Sequence, residues 1–146
     1  MVRLSLEELY KEVILDHYRA PRNKGQLDPH DVALERNNPL CGDEIELFVK
    51  FDGENVEGIA FDGKGCSISM ASASMMTDKV QGLTVKDAGE MAETIKRMMA
   101  GEEEGDPDTL GDLVALKGVV KYPVRIKCAL LGWNTLLEAF EESDKD

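Results

Sequence analysis

The chain has 146 residues, of which 42% are hydrophobic and 32% charged, and 29 Asp and Glu against 17 Lys and Arg leave a net charge of -12. That length suits a single domain spanning 1–146, and so acidic a chain repels phosphate backbones and anionic headgroups, which excludes nucleic acid and membrane surfaces as general partners. The opening MVRLSLEELYKEV is amphipathic and acidic, and no apolar run approaches membrane-spanning length, so the chain reads as cytoplasmic.

Ser5-Leu6-Glu7-Glu8 has capping-box form, and Leu6, Leu9, Tyr10, Val13, Ile14 and His17 follow at helical spacing. This first helix should end near Ala20, since Pro21 cannot continue it. Residues 22–40 carry prolines and little periodicity, and read as a loop with room for a short strand. Ile45, Leu47, Val49 and Phe51 then alternate with Glu44, Glu46, Phe48 and Lys50, the period of a half-buried strand. Asp52-Gly53-Glu54-Asn55 predicts a turn and residues 56–61 a return strand, together an antiparallel hairpin.

After Cys66 the run SISMASASMMTDKVQ, ended by Gly82, predicts a buried helix. Thr84 with Asp87 caps another, whose stripe is Val85, Ala88, Met91, Ala92, Ile95 and Met98. Residues 101–112, GEEEGDPDTLGD, read as an exposed acidic insert, with a helical turn over 113–116. Pro123 opens a last helix with Ile126, Leu130, Trp133, Leu137 and Phe140 on its apolar stripe, and the tail EESDKD reads as frayed.

Cysteines 41, 66 and 128 are odd in number and widely spaced, which suits reduced thiols and not a disulfide framework. Taken singly, each cysteine is more often a small buried hydrophobe. Cys41 and Cys66, however, are flanked by glycines, where backbone bends tightly or approaches something closely. Three thiolates and a carboxylate would complete a tetrahedral site for a divalent metal, with Asp43 as fourth candidate. On spacing alone Asp43 reads as a turn residue, and without a CxxC the spacing is a weak metal signature. His17 reads as a core residue and His30 as exposed. So anionic a set of donors needs cations nearby, and Lys121, Arg125 and Lys127 stand before Cys128, with a helix N-terminus beside Cys66.

The blocks Asn38-Pro39-Leu40-Cys41-Gly42-Asp43, Gly63-Lys64-Gly65-Cys66-Ser67-Ile68-Ser69-Met70-Ala71-Ser72-Ala73-Ser74 and Arg125-Ile126-Lys127-Cys128 resemble the IscU/SufU (NifU N-terminal-like) family of iron-sulfur cluster assembly proteins. The resemblance runs in order over residues 5–140. It implies an α+β fold, a small antiparallel sheet packed on helices with the metal site at one exposed end. It also implies Cys41, Asp43, Cys66 and Cys128 as ligands.

Departures from the family pattern point to its SufU branch. Lys127 stands where scaffold-type IscU proteins have a histidine, Tyr122-Pro123-Val124-Arg125 replaces their Leu-Pro-Pro-Val-Lys chaperone motif, and the acidic insert resembles the extra SufU segment. The resemblance then implies a zinc-dependent sulfurtransferase that takes persulfide sulfur from a SufS-type cysteine desulfurase and relays it to the Suf assembly complex. Cys41 is expected as the sulfur acceptor, and Arg125 as a docking or thiolate-stabilising residue. The alternatives are a scaffold on which a [2Fe-2S] cluster is built from iron and sulfide, and a binding module with a structural zinc.

Overall fold

The computed structural model describes residues 6–39 and 42–144, so the predicted cap Ser5 and the candidate ligand Cys41 lie outside the described residues. The first helix, α1 (Leu6–Arg19), closes on Ala20 N–H donating to Asp16 O at 2.9 Å, one residue before Pro21. Val13, Ile14 and His17 are buried from the predicted stripe, while Leu15 and Tyr18 stay exposed.

Three strands follow, β1 (Val32–Asn38), β2 (Asp43–Asp52) and β3 (Asn55–Lys64), in an antiparallel sheet of order β1-β2-β3. The expected hairpin is β2 and β3, longer than the alternation alone suggests. β1 occupies the segment read mainly as loop, where Val32 and Leu34 carry its short alternation against Val49 and Leu47. Ile45, Leu47 and Val49 are buried on the helix-facing side. Phe48, placed by alternation with the polar set, is buried as well. The loop ahead of β1 crosses the second face: His30 meets Phe48 edge-on with centroids 5.3 Å apart, and a Cβ at Gly58 would lie 3.3 Å from Leu27 Cδ2.

Cys66 opens α2 (Ser67–Val80), whose small residues Ala71, Ser72, Ala73 and Ser74 are all buried and let helices pack closely on it. α3 (Val85–Met99) begins at the predicted cap, Asp87 N–H donating to Thr84 Oγ1 at 3.0 Å. The acidic insert is more ordered than its composition suggests. Asp106 caps the short α4 (Pro107–Leu110), Leu110 is buried, and Glu103 and Glu104 pair with Arg97 and Lys117. Burying Leu110 draws the insert onto the core and gives its carboxylates fixed partners. The predicted turn at 113–116 is part of a 3-10 segment, Gly111–Lys121.

α5 (Pro123–Asp144) starts at Pro123 as expected and touches β1, β2, α2, α3 and the 3-10 segment. Against expectation the tail is helical through Asp144, because nothing after the buried Phe140 breaks a helix and Glu141 and Glu142 favour one. The core runs between the sheet, α2 and α5, with Trp133 wholly buried. Its indole N–H donates to Ser72 Oγ at 3.2 Å, and Ser72 in turn donates to Ala129 O at 2.6 Å. The fold is α+β, a three-stranded antiparallel sheet with helices packed on it.

Candidate metal centre

Three element ends meet beside the β1–β2 turn. The ladder between these strands closes on the pair Asn38 and Asp43, and Asp43 is the first residue of β2. Gly42 sits there at φ +69°, a left-handed conformation that costs glycine little. Period-two alternation sends Asp43 to the same side as Ile45 and Leu47, and its side chain is 0% exposed. Gly63 pairs with Ile45 on β3 at φ +134°, where a Cβ would lie 2.1 Å from Glu44 O. The chain then turns out of β3 into the N-cap of α2, which is Cys66.

Cys66 N–H donates to Asp43 Oδ1 at 2.8 Å, and Cys66 Sγ is 3.9 Å from Asp43 Oδ2. As N-cap, the Cys66 sulfur accepts from Ser69 N–H at 3.5 Å. Cys128, in the second turn of α5, is buried and receives the Asn38 side-chain amide at 3.8 Å. One ligand atom from each of Asp43, Cys66 and Cys128 lies within 4.8 Å of the others.

These donors fit a thiophilic divalent cation. Tetrahedral zinc with bonds of about 2.0–2.3 Å sets its ligand atoms roughly 3.5–4 Å apart, close to the spacing seen here. Asp43 is a fully buried carboxylate with no ion pair among the described residues, and buried carboxylates are ordinarily paired or bound to metal. The three donors leave a fourth position to be filled from elsewhere.

The basic residues singled out in the sequence stand on the surface where α5 begins. Lys121, Tyr122, Pro123, Val124, Arg125 and Lys127 are all exposed, Val124 at 66%. Arg125 sits in the first turn of α5, one turn before Cys128. Tyr10 of α1 is a neighbour that the sequence reading counted only as core. Its ring covers Gly118, where a Cβ would lie 2.6 Å from Tyr10 Cγ. Burial pushes the Tyr10 phenol above its usual value, with Tyr122 adding, Arg125 opposing and Cys66 adding, so the phenol shares the electrostatic surroundings of the site. Asn38, quoted in the sequence only as the first residue of the Cys41 block, is a second neighbour, through its contact with Cys128.

His17 and His30 are not at this centre. His17 is 2% exposed and its Nδ1 meets Ser74 Oγ at 2.8 Å, while exposed His30 bonds Leu27 O. A groove of about 860 Å³ lies between α3 and α5, and no candidate ligand lines it.

The pattern of the NifU-like N-terminal domain family matches residues 9–129. The chain is 51% identical over 132 residues to the zinc-dependent sulfurtransferase SufU of Bacillus subtilis (strain 168), covering 90% of this chain and 89% of that protein. It is 46% identical over 143 residues to the iron-sulfur cluster assembly scaffold protein IscU of Streptococcus pyogenes serotype M1, covering 98% and 89%. A crystal structure from Fervidobacterium islandicum AW-1, described as a candidate iron-sulfur cluster assembly scaffold for the SUF system, superposes with a TM-score of 0.84 at 37% identity, covering 90% of this chain and 96% of that one. With the fold and its cysteine blocks in this arrangement, the chain belongs to the NifU-like N-terminal domain family, that of the IscU/SufU iron-sulfur cluster assembly proteins.

Proposed function

We propose that this protein is a zinc-dependent sulfur acceptor that takes persulfide sulfur from a cysteine desulfurase of the SufS type and relays it to the Suf cluster assembly complex. The observation that carries the reading is the buried carboxylate of Asp43, without an ion pair among the described residues, set against the sulfurs of Cys66 and Cys128, all within 4.8 Å. The SufU name of a relative 51% identical supports zinc and sulfur transfer over other thiophilic chemistry. Asp43, Cys66 and Cys128 would hold the zinc with Cys41 as fourth ligand. Bound zinc would keep these thiols deprotonated at neutral pH and change no oxidation state.

The transfer itself belongs to the cysteines. The Cys41 thiolate attacks the outer sulfur of the desulfurase persulfide and forms a new S–S bond, while the desulfurase S–S bond breaks and its cysteine leaves as thiolate. No oxidant or reductant enters, because one thiolate replaces another. Arg125, exposed one turn before Cys128, would supply a cation for docking or for the thiolate. Asp43, Cys66 and Cys128, on β2, α2 and α5, remain in place as Cys41 reacts.

The test is incubation with desulfurase and cysteine, followed by mass-spectrometric location of the persulfide. Sulfur on Cys41 is expected; sulfur on Cys66 or Cys128 with none on Cys41 overturns the assignment. A second reading, favoured by the IscU-named relative at 46% identity, makes a [2Fe-2S] cluster the cargo assembled on the same four residues. Anaerobically purified protein that is colourless with one zinc per chain supports the relay, and brown protein with visible absorption supports the scaffold.

A further inference from the structure

We infer that Asn38 is a positioning residue that restrains the Cys128 sulfur and so sorts the cysteines by reactivity. The inference rests on the reading of this centre as a thiolate site, and adds a rule for which thiolates stay. Asn38 is the last residue of β1 and pairs with Asp43 across the turn. Its side chain is 7% exposed, and its Nδ2 donates to Cys128 Sγ at 3.8 Å across a sequence separation of 90. A buried primary amide is costly unless its hydrogen bonds are made, and here one N–H is spent on a sulfur.

The effect on the sulfur follows from charge. A donor aimed at a thiolate draws its electron density and holds its orientation, which favours coordination over attack on an electrophile. Cys66 has its own restraint, the Ser69 backbone N–H at 3.5 Å, supplied by the N-cap of α2. The two described cysteines therefore each carry an N–H donor, one from the main chain and one from a side chain. Only the second can be removed by substitution without changing the backbone. Asn38 also ends β1, three residues before Cys41 in the sequence. One side chain thereby joins the end of β1 to the cysteine on α5.

The experiment compares zinc-loaded parent protein with Asn38→Leu, which keeps the branched outline and removes the donor, and with Asn38→Ala in case the bulkier side chain does not pack. Each is treated with limiting iodoacetamide and the alkylated cysteines are mapped by mass spectrometry, with the label at Cys66 as internal reference. The expected result is a several-fold rise in the ratio of label at Cys128 to label at Cys66. In cobalt-loaded protein, the sulfur-to-metal charge-transfer band should move to lower energy in the variant. An unchanged ratio in a variant that unfolds cooperatively, or equal rises at Cys66 and Cys128, overturns the inference, since a merely structural Asn38 would loosen both. Alkylation reads the Cys128 sulfur whether or not Cys41 accepts persulfide. Failure of the sulfur-relay reading and failure of this inference are therefore separate results.

Discussion

Replacing Gly65 by alanine isolates the carboxylate of the centre from the rest of the fold. Gly65 is not in the left-handed region, so its backbone accepts an L side chain without strain. The added Cβ would stand 2.5 Å from Asp43 Oδ1 and 3.0 Å from its Cγ. To restore ordinary contact at 3.4 Å the carboxylate must retreat by about 0.9 Å. Away from Cys66, that retreat breaks the 2.8 Å bond from Cys66 N–H. Losing one hydrogen bond to a charged acceptor costs about 1.5–3 kcal/mol, a fall in Tm of about 5–10 °C for a chain of this size. Zinc affinity, measured by chelator competition, should fall roughly 10- to 100-fold as the carboxylate leaves its position. The double variant with Asp43→Ala decides the cause. There the same Gly65→Ala substitution should cost little, because its obstacle is gone. An equal cost with and without Asp43, or parent Tm and parent zinc affinity in the single variant, would refute the wedge.

Three further outcomes follow from the geometry. Gly63→Ala, whose Cβ would meet backbone Glu44 O at 2.1 Å in a left-handed conformation, should abolish cooperative unfolding rather than only weaken metal binding; circular dichroism melts distinguish the two. Ser72→Ala strands the buried Trp133 indole N–H and should lower stability by about 1–3 kcal/mol in denaturant melts, with the slope unchanged. Burial lowers the pKa of His17, Arg22 acts the same way, and Asp112, Asp16 and Asp78 oppose them. A histidine whose folded pKa is depressed contributes stability above its unfolded pKa of about 6.5, lost as pH falls through the folded value. His17→Gln should therefore show a smaller drop in Tm than the parent between pH 8 and 5, and an equal drop would assign the acid sensitivity to other groups.

Where one element carries its own period or breaker, the sequence was legible. Pro21, Thr84 and Pro123 mark helix boundaries found within a residue or two, and the alternation of Ile45, Leu47 and Val49 identifies the central strand. β1 was harder to see because its apolar signal is two residues, Val32 and Leu34, and its stability comes from pairing with β2 and packing under α5. The insert was misjudged for a related reason. Its composition is acidic and glycine-rich, yet the single buried Leu110 and pairs with Arg97 and Lys117, distant or inconspicuous in the sequence, order it. At the centre, glycines beside Cys41 and Cys66 flagged close approach, and Gly65 is where Asp43 makes it. Asn38 and Tyr10 were invisible as site neighbours because their roles depend on residues from other elements. Asn38 meets a cysteine 90 positions away, and Tyr10 lies over Gly118.

The pairing of Asn38 with Asp43 means that the centre shares its error checking with the core. If β2 slipped by one residue, buried Asp43 would turn outward and exposed Glu44 inward, and in the same motion Ile45, Leu47 and Val49 would surrender their places to Glu44, Glu46 and Phe48. A misthreaded hairpin cannot keep a sound core with a defective site, or the reverse. Quality control that recognises exposed apolar surface would thus remove molecules in which such a slip misplaces Asp43, without inspecting the candidate site at all.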